Sequence, residues 1–279
     1  MGNEVSRARV LTVSSFLVNF GVQTYGMIAT PNMKDIAEAN HFAFSPNPWF
    51  IAAFFSGQVV LQLAWIRKLF THDPPNGYEK ISGKPAPPTL NGQEQSMLIP
   101  GEDKDEGRAW KAALNYAPVY ALGNVCIAGW LFFWLREDFV ASQVLVTINT
   151  FAQLAAVAAL PPLTPTSPML HRLTHLVAKT FAGIGVLDFI DNGGVALRYR
   201  APPSALVQAV TYVMFPVGAL SSSPMFGSVL LYDLVAVAIG QVGVPGAGPW
   251  PMRLGWTSLA TALLVGIKVV RTIGQYLRR

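Results

Sequence analysis

Apolar runs of about twenty residues recur along this chain, and a helix of that length rises far enough to cross roughly 30 Å of hydrocarbon. Eight such runs are present, at 10–30, 49–69, 111–135, 139–160, 169–194, 204–220, 226–244 and 256–276. The pattern specifies an all-α fold, a polytopic helical membrane bundle of eight transmembrane helices. Seven is the alternative count, because 204–220 is the shortest run and Pro216 interrupts it. Composition agrees: 13% of the residues are charged, where soluble domains carry about 25%.

Residues 1–70 are expected to hold the first two helices and 111–279 the remaining helices of the same membrane domain. Between them, 71–110 turns abruptly to Pro, Gly, Asn and charge without helical or strand periodicity, which reads as a disordered loop. Setting aside Lys179 and Lys268 within runs, eight crossings put thirteen basic residues on the side of the termini and this loop, against five on the other. The excess places both termini and the loop in the cytoplasm. The net charge of +5 does not point to nucleic acid, because the basic residues sit at the ends of apolar runs and form no common face. Tryptophans such as Trp49, Trp110, Trp134 and Trp256 fall near run ends, as membrane interfaces favour. The single cysteine, Cys126, excludes an internal disulfide and a multi-cysteine metal site. Gly2 and Ser6 have the spacing of an N-myristoylation signal, although an apolar run follows at once.

The run 169–194 is distinctive because it carries Lys179, Asp188 and Asp191. Charge inside a bilayer is costly, so such residues face protein or water and are candidates for function. Counting depth along the helices places Lys179, Asp233 and Lys268 at a similar height below the cytoplasmic boundary, where they can form ion pairs across helices. Asp188 and Asp191, three residues apart, share a helix face and form a pair able to hold a proton or cation; Arg198 and Arg200 lie close enough in sequence to meet Asp191. The glycine pair after Asn192 marks the expected end of that helix.

Two further groups complete the candidates. Asn19, Gln58, Asn124 and Asn149 give each of the first four helices an amide near the midplane, either as interhelical glue or as the lining of a pocket. His171 and His175, one helical turn apart with Arg172 beside them, form a basic patch for lipid headgroups; no third ligand accompanies them, so no metal is expected.

The segment ProAsnProTrpPheIleAlaAlaPhePhe at 46–55, followed by GlnLeuAlaTrp at 62–65, resembles a signature of an uncharacterised family of fungal multi-spanning membrane proteins. The intervening 56–58 departs from it where another aromatic and a proline belong. The resemblance covers the second span and implies a eukaryotic membrane protein, with no particular activity. From the residues themselves, the expected function is binding or movement of a small solute or ion through the bundle, among membrane lipids and without a cofactor. The alternatives are a non-catalytic organiser whose 71–110 loop binds a soluble partner, and an intramembrane enzyme acting on a lipid or terpenoid through Asp188 and Asp233.

Overall fold

The computed structural model describes residues 2–71 and 102–277. Among these residues the chain is helical and forms no strand. The helices are α1 (Gly2–Ile28), α2 (Met33–Ala39), α3 (Pro48–Thr71), α4 (Glu102–Leu135), α5 (Phe139–Ala159), α6 (Met169–Ala196), α7 (Ala205–Ser221), α8 (Pro224–Gly240) and α9 (Trp250–Leu277). Each of the eight apolar runs has its helix, and α2 is the addition. Five helices, α3, α4, α5, α6 and α9, are long and apolar enough to cross a membrane. The apolar α7 and α8 are shorter, at 17 residues each. Helix α1 is 27 residues long, but Ser14, Ser15, Asn19, Gln23 and Thr24 dilute its apolar character. Pro216 lies inside a continuous α7, so the expected interruption is not a break.

The organising run becomes the central helix. α6 packs against α3, α4, α5 and α8, and most of its side chains are buried. Helices α1, α4 and α5 form one flank; α7 and α9 attach on the other through α8. Outer helices turn large apolar side chains such as Leu63, Val144, Phe151 and Leu263 to the surroundings, as lipid contact requires.

Two boundaries differ from the sequence reading. Helix α4 begins at Glu102 rather than at Lys111, so 102–110 is helical; the rest of the expected loop, 72–101, lies outside the described residues. Asp105 anchors this start, paired with Arg108 and accepting from the Thr166 hydroxyl at 2.9 Å, and negative charge near a helix N-terminus is favourable. Helix α6 does not stop at Gly193 and Gly194. It continues to Ala196, and Arg198 takes the left-handed conformation (φ 50°), with Tyr199 N–H donating to Gly194 O at 2.8 Å. Asn192 is unavailable as a terminator because its side chain is fully engaged. Its carbonyl accepts from Trp130 and Ser142, both at 2.9 Å, and its amide donates to Gln143 Oε1 at 2.8 Å.

The connection after α1 is more than a polar link. Asn32 starts α2 through a capping box with Asp35. The next stretch, 40–47, is non-helical, yet Ala43, Phe44, Ser45 and Pro46 are buried. Irregular backbone tolerates burial only when its polar groups are paired, and here they are. Ala43 N–H donates to Tyr199 O and Asn47 N–H to Ala236 O, both at 2.9 Å. Gln241 Nε2 donates to Phe42 O at 2.8 Å and Ser45 O at 3.1 Å, and Trp250 Nε1 donates to Ala43 O at 2.8 Å. The stretch thus plugs the bundle where α6 and α8 end and α9 begins.

Candidate functional site: carboxylates between α6 and α8

Asp188 and Asp191 project from one face of α6, and α8 brings Asp233 towards them. Asp233 is 0% exposed, and neither of its carboxylate oxygens has a hydrogen-bond partner. It lies within electrostatic range of Asp188, as Asp188 does of Asp191. Asp191 accepts from the Ser45 hydroxyl at 2.9 Å, and Ser45 Oγ in turn accepts from Phe42 N–H at 3.1 Å. The plug therefore touches the acidic cluster directly. Among the described residues no ion pair reaches any of the three acids, and Arg198 and Arg200 are exposed instead of meeting Asp191.

The expected grouping of Lys179, Asp233 and Lys268 is not assembled. Lys268 Nζ donates to the carbonyls of Ala219 (3.1 Å), Leu220 (2.6 Å) and Ser222. It caps the C-terminus of α7, where unpaired carbonyls and the helix dipole favour a cation. Lys179 precedes Asp188 by nine residues, about two and a half turns, and so projects from the opposite side of α6. Equal depth fixed the height of these groups but not their direction.

The four amides serve different contacts. Asn19 Nδ2 donates to Asn124 Oδ1 at 2.8 Å, joining α1 to α4. Gln58 Oε1 accepts from Thr180 at 2.7 Å, joining α3 to α6. Asn149 is buried beside Gly123, where any side chain on the glycine would collide with Asn149 and Gln153. The first two pairs are interhelical glue.

His171 and His175 are buried within the bundle, both 3% exposed, with ring centroids 4.9 Å apart. Arg172 is held by the 160–168 connection, donating to Ser167 O at 2.8 Å and Pro165 O at 2.7 Å. The expected basic patch is thus not an exposed surface: its histidines are buried and its arginine is bonded to the connection before α6.

The structure also shows polar residues that the sequence reading passed over. Tyr116 donates to Gln153 Oε1 at 2.9 Å, Tyr120 to Gln62 Oε1 at 2.5 Å, and Trp65 Nε1 to Thr174 Oγ1 at 3.0 Å. Gln62 and Gln153 were visible as amides in apolar runs, one turn from Gln58 and Asn149. Ser45 gave no such signal, because it lies in a connection that sequence alone reads as exposed.

His41, at the edge of the plug, has Nε2 3.3 Å from Gln241 Nε2. Burial holds its imidazole below the usual value, and a backbone contact with Gly240 offsets this in part. A lowered folded-state value means that stability is full above the unfolded value of about 6.5 and is lost as pH falls through it. Comparing wild type with His41→Gln by thermal unfolding between pH 8 and pH 5 should show the wild type losing more stability. Parallel curves would remove this role from His41.

Chemically, the acidic cluster can take up a proton. An isolated carboxylate in an apolar interior is too costly to leave bare. Among the described residues, no group of three or more His, Cys, Asp or Glu side chains is placed to hold a metal ion. Comparison with protein-family models, curated proteins and solved structures finds no match to this chain.

Proposed function

We propose that this integral membrane protein crosses the bilayer eight times, with both termini cytoplasmic, and binds a proton at the Asp188, Asp191 and Asp233 cluster to drive movement of a small solute or of the proton itself. The observation that carries the reading is Asp233, wholly buried, with both oxygens unpartnered and another acid in range. Proton relays in membrane proteins are built from such intramembrane carboxylates. The plug at 40–47 reaches Asp191 through Ser45, which supports a site covered at that end of the bundle. The resemblance of 46–55 and 62–65 to a fungal membrane family supports a eukaryotic origin as part of the same reading.

The test is proton flux in vesicles reconstituted with the purified protein, loaded with a pH-sensitive dye and driven by an imposed potential. Asp233→Asn keeps the shape and removes the exchangeable proton, so flux should fall at least tenfold while the protein stays monodisperse in detergent. Wild-type flux equal to that of empty vesicles under solute and pH gradients, or an undiminished flux in Asp233→Asn, would sink the proposal. Deleting 73–100, which leaves α4 intact, should not change flux. Loss of cellular function on that deletion, with flux preserved, would favour an adaptor role for the loop.

A further inference from the structure

The half of α6 opposite the carboxylates holds an unbalanced set of basic groups. His171, His175 and Lys179 follow one another at single-turn spacing and are 3%, 3% and 9% exposed. His175 Nε2 donates to Pro161 O at 2.8 Å. That leaves His175 Nδ1, and with it His171 Nε2, buried without any partner. No hydrogen bond or ion pair among the described residues reaches Lys179, which is within electrostatic range of both histidines.

The charged groups facing the set from neighbouring elements do not balance it. Helix α4 contributes Asp105 and Arg108 near His171, but Asp105 is already paired with Arg108 and with Thr166. The 160–168 connection offers the Pro161 carbonyl, which His175 uses, and holds Arg172 through its own carbonyls. The Lys179 ammonium only donates, so the partner it lacks is an acceptor, and the same acceptor would take the N–H that each imidazole gains on protonation.

We propose that His171, His175 and Lys179 form a binding site for an oxyanion, a group shared by free phosphate or carboxylate and by the headgroup phosphate of an acidic lipid. Lys179 supplies the fixed charge and the two imidazoles supply directional N–H donors once protonated, a charge-assisted arrangement. A metal ion fits less well, because the Lys179 ammonium beside the imidazoles repels it and a third ligand is lacking. Arg172, next to His171 in sequence, lines a surface cavity of about 320 Å³ with Leu163, Thr164 and Pro165; His171, His175 and Lys179 do not line it. This site is separate from the carboxylate cluster, and neither reading depends on the other.

The experiment measures thermal unfolding of the full-length protein against two probes. One is inorganic sulfate, titrated in detergent at constant ionic strength set with gluconate. The other is phosphatidic acid, added to phosphatidylcholine nanodiscs. At least one probe should raise the unfolding temperature saturably. Lys179→Met should weaken the apparent affinity at least tenfold, Lys179→Arg should preserve it, and His175→Gln should weaken it several-fold. Response to sulfate identifies a free oxyanion as ligand; response to phosphatidic acid alone identifies the lipid headgroup. Stabilisation by neither probe, or equal stabilisation of wild type and Lys179→Met, would overturn the site. If Lys179→Met does not fold, equal response of wild type and His175→Gln overturns it instead.

Discussion

Replacing Gly240 with alanine is expected to dislodge the 40–47 plug. A Cβ at that position would lie 2.4 Å from Ser45 O, 2.5 Å from Pro46 C and 2.6 Å from Asn47 N. All three are backbone atoms, so no rotamer change can make room, and either α8 or the plug must move. Overpacking of this kind costs about 1–3 kcal/mol and sometimes more. Here the upper end applies, because the hydrogen bonds from Asn47 to Ala236 and from Gln241 to Ser45 are lost with the displacement. The control is Gly21→Ala in α1, where a Cβ meets nothing within 4 Å and helix propensity favours alanine. Unfolding of both variants in detergent checks the pair. Gly240→Ala should be clearly destabilised and Gly21→Ala unchanged or slightly stabilised; equal behaviour would mean that the close approach carries no weight. The same displacement withdraws Ser45 from Asp191, so Gly240→Ala should also alter proton flux.

Trp65→Ala should be the most destabilising single truncation in the half of the bundle where α6 begins. Trp65 is 0% exposed, packs tilted against Tyr116 at 5.6 Å and edge-on to Tyr120 at 5.0 Å between ring centroids, and donates to Thr174. It thereby ties α3 to both α4 and α6. Truncating a buried tryptophan costs about 3–5 kcal/mol through lost contacts and the cavity left behind. Trp65→Phe, which keeps a ring but not the indole N–H, should recover much of that loss. A loss below about 1 kcal/mol on Trp65→Ala, measured by the same unfolding assay, would show that the aromatic cluster repacks around the gap.

Sequence made the helices legible because lipid imposes one length and one composition on every crossing. It also singled out the central helix, since Lys179, Asp188 and Asp191 tolerate an apolar run only when protein surrounds them. What it did not reveal was partnership between helices. Asp233 was matched by depth to Lys179 and Lys268, yet depth along separate helices carries no information on which way each side chain points. Lys268 went to the carbonyls ending α7, the nearest electrostatic sink. Within a single helix the direction was readable: the spacing of Lys179 and Asp188 already put them on opposite faces. The histidines looked interfacial because they open α6, but α4 extends past them to Glu102 and covers that surface. The burial of 40–47 left no sequence trace either, because its backbone is paired by Gln241, Trp250 and Ala236, all distant in the chain.

The hydrogen bond between Asn19 and Asn124 spans 105 positions of sequence, and it has a consequence for how the chain is made. Helix α1 leaves the ribosome before α4 and is outside the set of helices apolar enough to cross by composition. Its main neighbour is α4, which is synthesised only after α3 and the long connection. Until then the Asn19 amide lacks its partner on α4 and has only the contact with Gln23 one turn along its own helix. Packing of α1 is therefore incomplete during synthesis until α4 arrives. A nascent chain arrested between them presents an exposed polar stripe, the kind of signal that membrane quality control recognises.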